Sequence, residues 1–326
     1  MNNTIAILAL RKINGIGAVG IKKLWQQGVF DDRNYCEIIE HGCRLLKKPQ
    51  TNQEQEEFIN SAKQIIALNQ DEEINMLDIS SPKYPRQLKA IKAPPSIIYY
   101  KGNIERSNKT IGVIGTREPS STSLEIARRI GQYFSNEGFS ICNGLAQGID
   151  EASIKNDSGI HSNVVGVVAG GLNYNKTKTL LKSTALMAEQ VLESGGLVLS
   201  EYPCNIKEDT FKVVDSCALQ AGLSNGLILI QSKATGGSKY TLEAYAELNR
   251  PFGVIVLPGM ESDPLYEANT KIIQNTKSGL AEITGLKPDK IKIEKCYGIS
   301  QKSDYAIFEN AVLNTINKEN ISESLF

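Results

Sequence analysis

The chain has 326 residues, with 36 Lys and Arg offset by 36 Asp and Glu; its 41% hydrophobic and 22% charged content is that of an ordinary globular protein with room for roughly two domains. Neutrality lowers the odds of a surface that grips nucleic acid mainly through phosphates and leaves room only for a local basic patch; no apolar run approaches the roughly 20 residues that cross a bilayer, and the opening stretch lacks the basic region and cleavage site of a signal peptide, which predicts a cytoplasmic protein with no membrane partner. The six cysteines (36, 43, 142, 204, 217 and 296) form no Cys-x-x-Cys pair and only His41 and His161 accompany them, so buried free thiols are expected, with no zinc site, disulfide framework or cofactor.

Residues 1–70 read as a small helical unit. Ile5, Leu8, Ala9 and Ile13 lead into Asn14-Gly15-Ile16-Gly17, then Val19, Ile21, Leu24 and Trp25 on a second short helix. Helix, Gly-x-Gly turn, helix is the pattern of a helix-hairpin-helix, whose turn amides hold a DNA phosphate with Lys22 and Lys23 close by, and equally that of a plain αα-hairpin. Helices follow over 35–46 and 54–68, the latter opening on a Thr51-x-x-Glu54 capping box. Lys47 and Lys48 read as a solvated face.

From 71 onward the pattern changes to alternating strands and helices. Strands are predicted at 74–77 and 97–100, separated by a turn or short helix at 84–88 and the helix-breaking Ala93-Pro94-Pro95. Ile111, Val113 and Ile114 form a buried β-branched strand ending at Gly115; a helix runs from 124 to 137, and a strand from 139 to 142 ends at Asn143-Gly144. Further strands end at Gly170-Gly171, at Ser200-Glu201, at Gln231 and at Leu257, with helices at 179–193, 211–223 and 242–248 between them. His161 precedes its strand with no acid or nucleophile beside it and reads as a surface or capping histidine. This order predicts an α/β fold with a doubly wound, mostly parallel sheet over 71–285. Residues 286–326 are polar, with one modest helix at 305–316, and read as a flexible linker with a docking helix.

In such sheets ligands sit beyond the carboxyl ends of the strands, where helix N-termini present amides. Gly115-Thr116 and Asn143-Gly144 admit a phosphate close to the backbone, with Arg117 as a fork-shaped donor, and Gly170 and Gly171 make a third strand end of the same kind. Glu201 is placed either to bond a sugar hydroxyl or to cap a helix. The loop Gly236-Gly237-Ser238-Lys239-Tyr240-Thr241, opening a helix, is the best anion cradle in the chain. Neither the dinucleotide fingerprint nor the P-loop spacing occurs.

Taken together, Ser81-Pro-Lys-Tyr84-Pro85, Ala93-Pro94-Pro95, Gly115-Thr116-Arg117 with Ser120, Asn143-Gly144-Leu-Ala-Gln147-Gly148-Ile-Asp150, Ala169-Gly170-Gly171-Leu172, Ser200-Glu201-Tyr202-Pro203, Gly237-Ser238 with Thr241, and Arg250 with Pro258-Gly259 closely resemble the DNA-processing protein A (DprA/Smf) family over most of the chain. The resemblance implies an extended Rossmann-like domain behind a small helix-hairpin-helix or SAM-like one. It implies single-stranded DNA binding in recombination and transformation, a homodimer, and a recombinase as partner, without an established catalytic reaction. It carries the site onto the strand-end residues above together with Lys212. Two departures stand out. Gln147 replaces the family's arginine, and its Phe-Pro-x-Arg-Asn-Arg run appears as Phe211-Lys212-Val213-Val214-Asp215-Ser216, which removes several phosphate contacts. Arg117, Lys212 and Lys239 remain as the cations.

Two other functions compete. The loop Gly236-Gly237 to Thr241-Leu242-Glu243 is also similar to the Gly-Gly…Thr-x-x-Glu loop of lysine-decarboxylase-like phosphoribohydrolases, which implies a nucleotide-sensing site or, less readily, N-glycosidic cleavage supported by Glu243. The neutral charge and missing arginines fit an interaction protein, such as an antitoxin-like regulator of a neighbouring-gene product.

Overall fold

The structure, a computed structural model, describes residues 2–324. It begins with four helices, α1 (Asn2–Lys12), α2 (Ala18–Gln26), α3 (Tyr35–Leu45) and α4 (Asn52–Asp71), packed through Ile7, Leu10, Ile21, Leu24, Ile38 and Ile39, all essentially free of solvent. Asn34 and Thr51 close reciprocal capping boxes with Glu37 and Glu54, satisfying the first amides of α3 and α4. Lys22 donates to Ile91 O at 2.8 Å, so this lysine anchors the hairpin to the rest of the molecule instead of facing a ligand.

A nine-stranded sheet forms the centre. Its strands are β1 (Asn75–Asp78), β2 (Ile97–Gly102), β3 (Thr110–Ile114), β4 (Ser140–Asn143), β7 (Val164–Val167), β8 (Leu197–Ser200), β9 (Gly226–Leu229), β10 (Phe252–Ile255) and β11 (Tyr297–Ile299), in the order β1-β2-β8-β7-β4-β3-β9-β10-β11. Short β5 (Lys155–Asn156) and β6 (Gly159–Ile160) form a separate hairpin. Strands β8 to β11 in that order are all parallel, and β2 runs against its neighbours. Every residue of β3, β4, β7, β8, β9 and β10 is buried, as expected of strands covered on both faces. The connecting helices are α5 (Arg86–Lys89), α6 (Ser121–Asn136), α7 (Ile149–Ile154), α8 (Tyr174–Thr177), α9 (Lys182–Glu193), α10 (Thr210–Leu223), α11 (Ser238–Ala246), α12 (Glu267–Gln274), α13 (Thr276–Thr284) and α14 (Ser303–Ser324).

Four sequence expectations need correction. The segment after 286 is not a bare linker: Tyr297–Ile299 pairs with β10 as the edge strand, and Phe308 and Val312 of α14 are fully buried against the sheet. A Cβ on Gly226 would lie 2.5 Å from Val312 and one on Gly253 3.3 Å from Phe308, so glycines in two adjacent strands make the groove that seats α14. His161 is only 4% exposed, with Nδ1 3.2 Å from the Asn156 amide, so it belongs to the interior and not to the surface. The helix expected from 242 begins at Ser238, and the stretch 258–285, for which no element was expected, holds α12 and α13.

Candidate nucleic-acid interface

From β3 the chain moves outward through β4, β7 and β8 and then returns to the other side of β3 as β9. That reversal is the topological switch point, where an open α/β sheet presents a crevice at its carboxyl edge. The loops leaving β3, β4 and β9 meet there. Thr116 N donates to Gln231 O at 2.9 Å, and Ile149 N to Thr116 O at 3.2 Å. Gly148 has φ +88°, and a Cβ on it would lie 2.6 Å from Thr116 O and 2.8 Å from Arg117, so only glycine lets these two loops close on each other.

Asp150 locks the crevice floor. Its buried carboxylate accepts from the amides of Gly144 at 3.1 Å and Ala146 at 3.3 Å, while the Asn143 side chain bridges to Asp150 O and Ser153 Oγ. Burial pushes the Asp150 carboxyl up to about 7, against the opposing pull of those amides and of Arg117. The side chain therefore shapes the Gly144–Ala146 loop. Cys217, Gln220 and Thr241 complete the cluster: the Cys217 thiol is hydrogen-bonded to Thr241 and lies in the field of both Asp150 and Arg117, and a Cβ on Gly144 would lie 2.9 Å from Gln220 Nε2. Cys217 and Gln220 carry no sequence signal of their own, because they reach the site only through the sheet order.

Ser120 caps α6 by accepting from Ser123 N, and its own amide donates to the buried Gln231 Oε1 at 2.9 Å. Helix α11 opens on exposed Gly237 without a side-chain cap; Ser238 and Thr241 are buried beneath it, and Lys239 lies with Nζ 5.0 Å over the Tyr240 ring. Gly236 packs on Ser232, Arg117 and Gln147 are exposed, and Glu243 is exposed on α11. Asn269 Nδ2 donates to Ile230 O and Ile255 O, holding together the ends of β9 and β10.

The remaining expected residues fall outside the crevice. Gly171 N donates to Ile206 O, and Cβ atoms on Gly170 and Gly171 would strike Ile206 O at 3.1 Å and Pro203 O at 2.6 Å, so both glycines serve packing of the chain on itself. Glu201 and Lys212 stand farther along the same edge, at the end of β8. Burial raises the Glu201 carboxyl to about 7, with Arg11 lowering and Asp215 raising it. Lys212 is paired with Asp209, the residue that caps α10, and lies 5.7 Å from the centre of the Tyr202 ring, whose hydroxyl donates to Asp215 at 2.6 Å. Phe211, next to Lys212, is 82% exposed. Other residues quoted for the resemblance are structural: Tyr84 OH donates to Pro95 O at 2.7 Å, and Arg250 ties Gly222 and Ser224 to Gln87 through three backbone carbonyls. Among the described residues no cluster of three or more His, Cys, Asp or Glu could hold a metal, and no helix is long and apolar enough to cross a membrane.

Comparison with known proteins gives a consistent picture. The family model for DNA recombination-mediator protein A matches residues 75–287. The DNA processing protein DprA of Bacillus subtilis is 30% identical over 231 residues, covering 70% of this chain and 75% of that one; protein Smf of Synechocystis is 26% identical over 258 residues, covering 74% and 62%. The X-ray structure of DNA processing protein A from Streptococcus pneumoniae superposes with a TM-score of 0.68 at 22% identity, covering 94% of this chain and 97% of that one. A structure of DNA processing protein A from Helicobacter pylori, described for its single-stranded DNA binding mode, gives 0.55 at 17% identity, covering 76% and 96%. The chain belongs to the DNA recombination-mediator protein A family.

Proposed function

We propose that this protein binds single-stranded DNA along the carboxyl edge of its sheet, in recombination-linked DNA processing and without catalysing a reaction on it. The observation that carries the reading is the convergence at the switch point of exposed Arg117, the clamped Gly144–Ala146 loop and the uncapped start of α11 with Lys239. Exposed Phe211, Tyr202 under Lys212 and partly exposed Tyr240 line the same edge. Bases stacking on such rings contribute about 1–3 kcal/mol each, which offsets phosphate contacts that the absent arginines would have made. Two clefts of about 690 and 750 Å³ beside α14 lie away from these loops. An extended strand needs an open edge with cations and rings instead of an enclosed cavity. Pairing of two copies and hand-over to a recombinase belong to the same reading and rest on family membership.

Fluorescence anisotropy with a labelled single-stranded oligonucleotide across a salt series tests it. Arg117→Ala and Lys239→Ala should each flatten the salt dependence by roughly 0.7 units of slope, the value per phosphate contact on a single strand. Phe211→Ala should weaken binding by about 1–3 kcal/mol with the slope unchanged. A wild-type protein that fails to bind at low salt would contradict the proposal.

A further inference from the structure

We propose that the helical hairpin α1–α2 carries a second nucleic-acid contact, which takes the phosphates of a strand that leaves the crevice past the end of β8; this rests on the single-stranded DNA reading above. In a chain of zero net charge, residues 1–50 hold eight Lys and Arg against four Asp and Glu. Four of these cations come from two separate segments and gather at one turn. Lys48 reaches over the turn, where a Cβ on Gly15 would lie 2.9 Å from its Nζ, and Arg11 closes the other side, its Nη1 3.7 Å from a Cβ on Gly17. Lys12 and Lys47 are exposed beside them. The placement of Lys48 uses an unfavourable conformation: Lys47 has φ +54°, and Lys48 N bonds back to Cys43 O at 2.9 Å, so a lysine occupies the left-handed position that normally favours glycine.

Among the described residues none of Arg11, Lys12, Lys47 and Lys48 forms a salt bridge, although the rest of the surface is laced with them. Lys12, Lys47 and Lys48 stand together with no acidic partner among the described residues, and like charges so placed repel; a polyanion that displaces their counterions relieves this. The position selects the polyanion. Asn69 of α4 accepts from Cys204 N at 3.1 Å, docking the helical layer against the loop that follows β8, and Arg11 lies in the field of Glu201 at that strand's end. The basic turn thus continues the edge on which Phe211, Tyr202 and Lys212 lie, and a strand crossing from the crevice reaches it without leaving the surface.

The test is the salt dependence of binding for oligonucleotides of two lengths, one of about 6 nucleotides, enough to fill a single strand-binding groove, and one several times longer. The triple variant Lys12→Gln, Lys47→Gln, Lys48→Gln changes only exposed side chains, and an unchanged thermal unfolding curve certifies its fold. The longer oligonucleotide should lose about two units of salt slope, at roughly 0.7 per contact, and the shorter one none. An unchanged slope for the longer oligonucleotide overturns the proposal. A triple variant that loses affinity for poly-glutamate while holding the longer oligonucleotide as wild type does also overturns it, in favour of an acidic protein partner. If Arg117→Ala leaves the short oligonucleotide's binding intact while the triple variant still weakens the long one, the crevice reading fails and the hairpin contact stands.

Discussion

Asp150 and Glu201 stand on the same edge of the sheet, and burial is the largest cause of the rise of each carboxyl to about 7. A carboxyl raised in the folded state contributes stability that is fully present below the ordinary carboxyl range, near pH 4, and lost as pH rises through 7. Wild type should therefore lose stability relative to Asp150→Asn as pH rises from about 5 to 8, read as a wild-type thermal unfolding midpoint that falls relative to the variant's. Glu201 adds a binding consequence: ionised above pH 7, it repels phosphate, and neutral below, it does not. Oligonucleotide affinity measured at constant ionic strength should rise on going from pH 8 to pH 6, and Glu201→Gln should remove most of that rise; equal pH dependence in both proteins would rule Glu201 out. The strand-end residues Gly115, Thr116, Asn143 and Gly144 were legible in sequence because a β-branched run that stops at a small residue has few other meanings. Gln220 and Gln231 were not, because their partners Gly144 and Ser120 lie 76 and 111 positions away and meet them only across the sheet.

At the scale of elements, α14 shows how composition misleads. Its sequence is polar enough to read as a docking helix on a linker, yet Phe308 meets Phe134 and Tyr297 edge-on, with ring centres 6.1 and 5.7 Å apart, and seats on the glycines of β9 and β10. The signal was present as Gly226 and Gly253 in otherwise bulky strands, but a glycine in a strand does not say what approaches it. Phe308→Ala should cost about 3–5 kcal/mol in denaturant unfolding, as expected for a ring removed from a closed core. A loss under 1 kcal/mol would mean that α14 is a loosely docked appendage. The two helices within 258–285 carry a weak sequence signal for a related reason: Asn269, the residue that fixes α12 to the ends of β9 and β10, is polar and buried, and periodicity registers apolar positions only.

For the whole molecule, the alternation of strands and helices announced the parallel sheet, whereas the strand order, and so the location of the switch point, follows from which strands pair. Much of what resembles the family turns out to build the frame: Tyr84 on Pro95, Arg250 on three carbonyls, Gly170 and Gly171 on the backbone after β8. These contacts hold the edge loops in place through backbone carbonyls and packed glycines, independently of the cations that the loops carry. The proposed path of DNA across the loops at the switch point is read out by hydrogen–deuterium exchange with and without a single-stranded oligonucleotide. Binding should slow exchange at residues 144–148 and 236–241 together; full-occupancy binding that leaves both loops exchanging as in the free protein would contradict it.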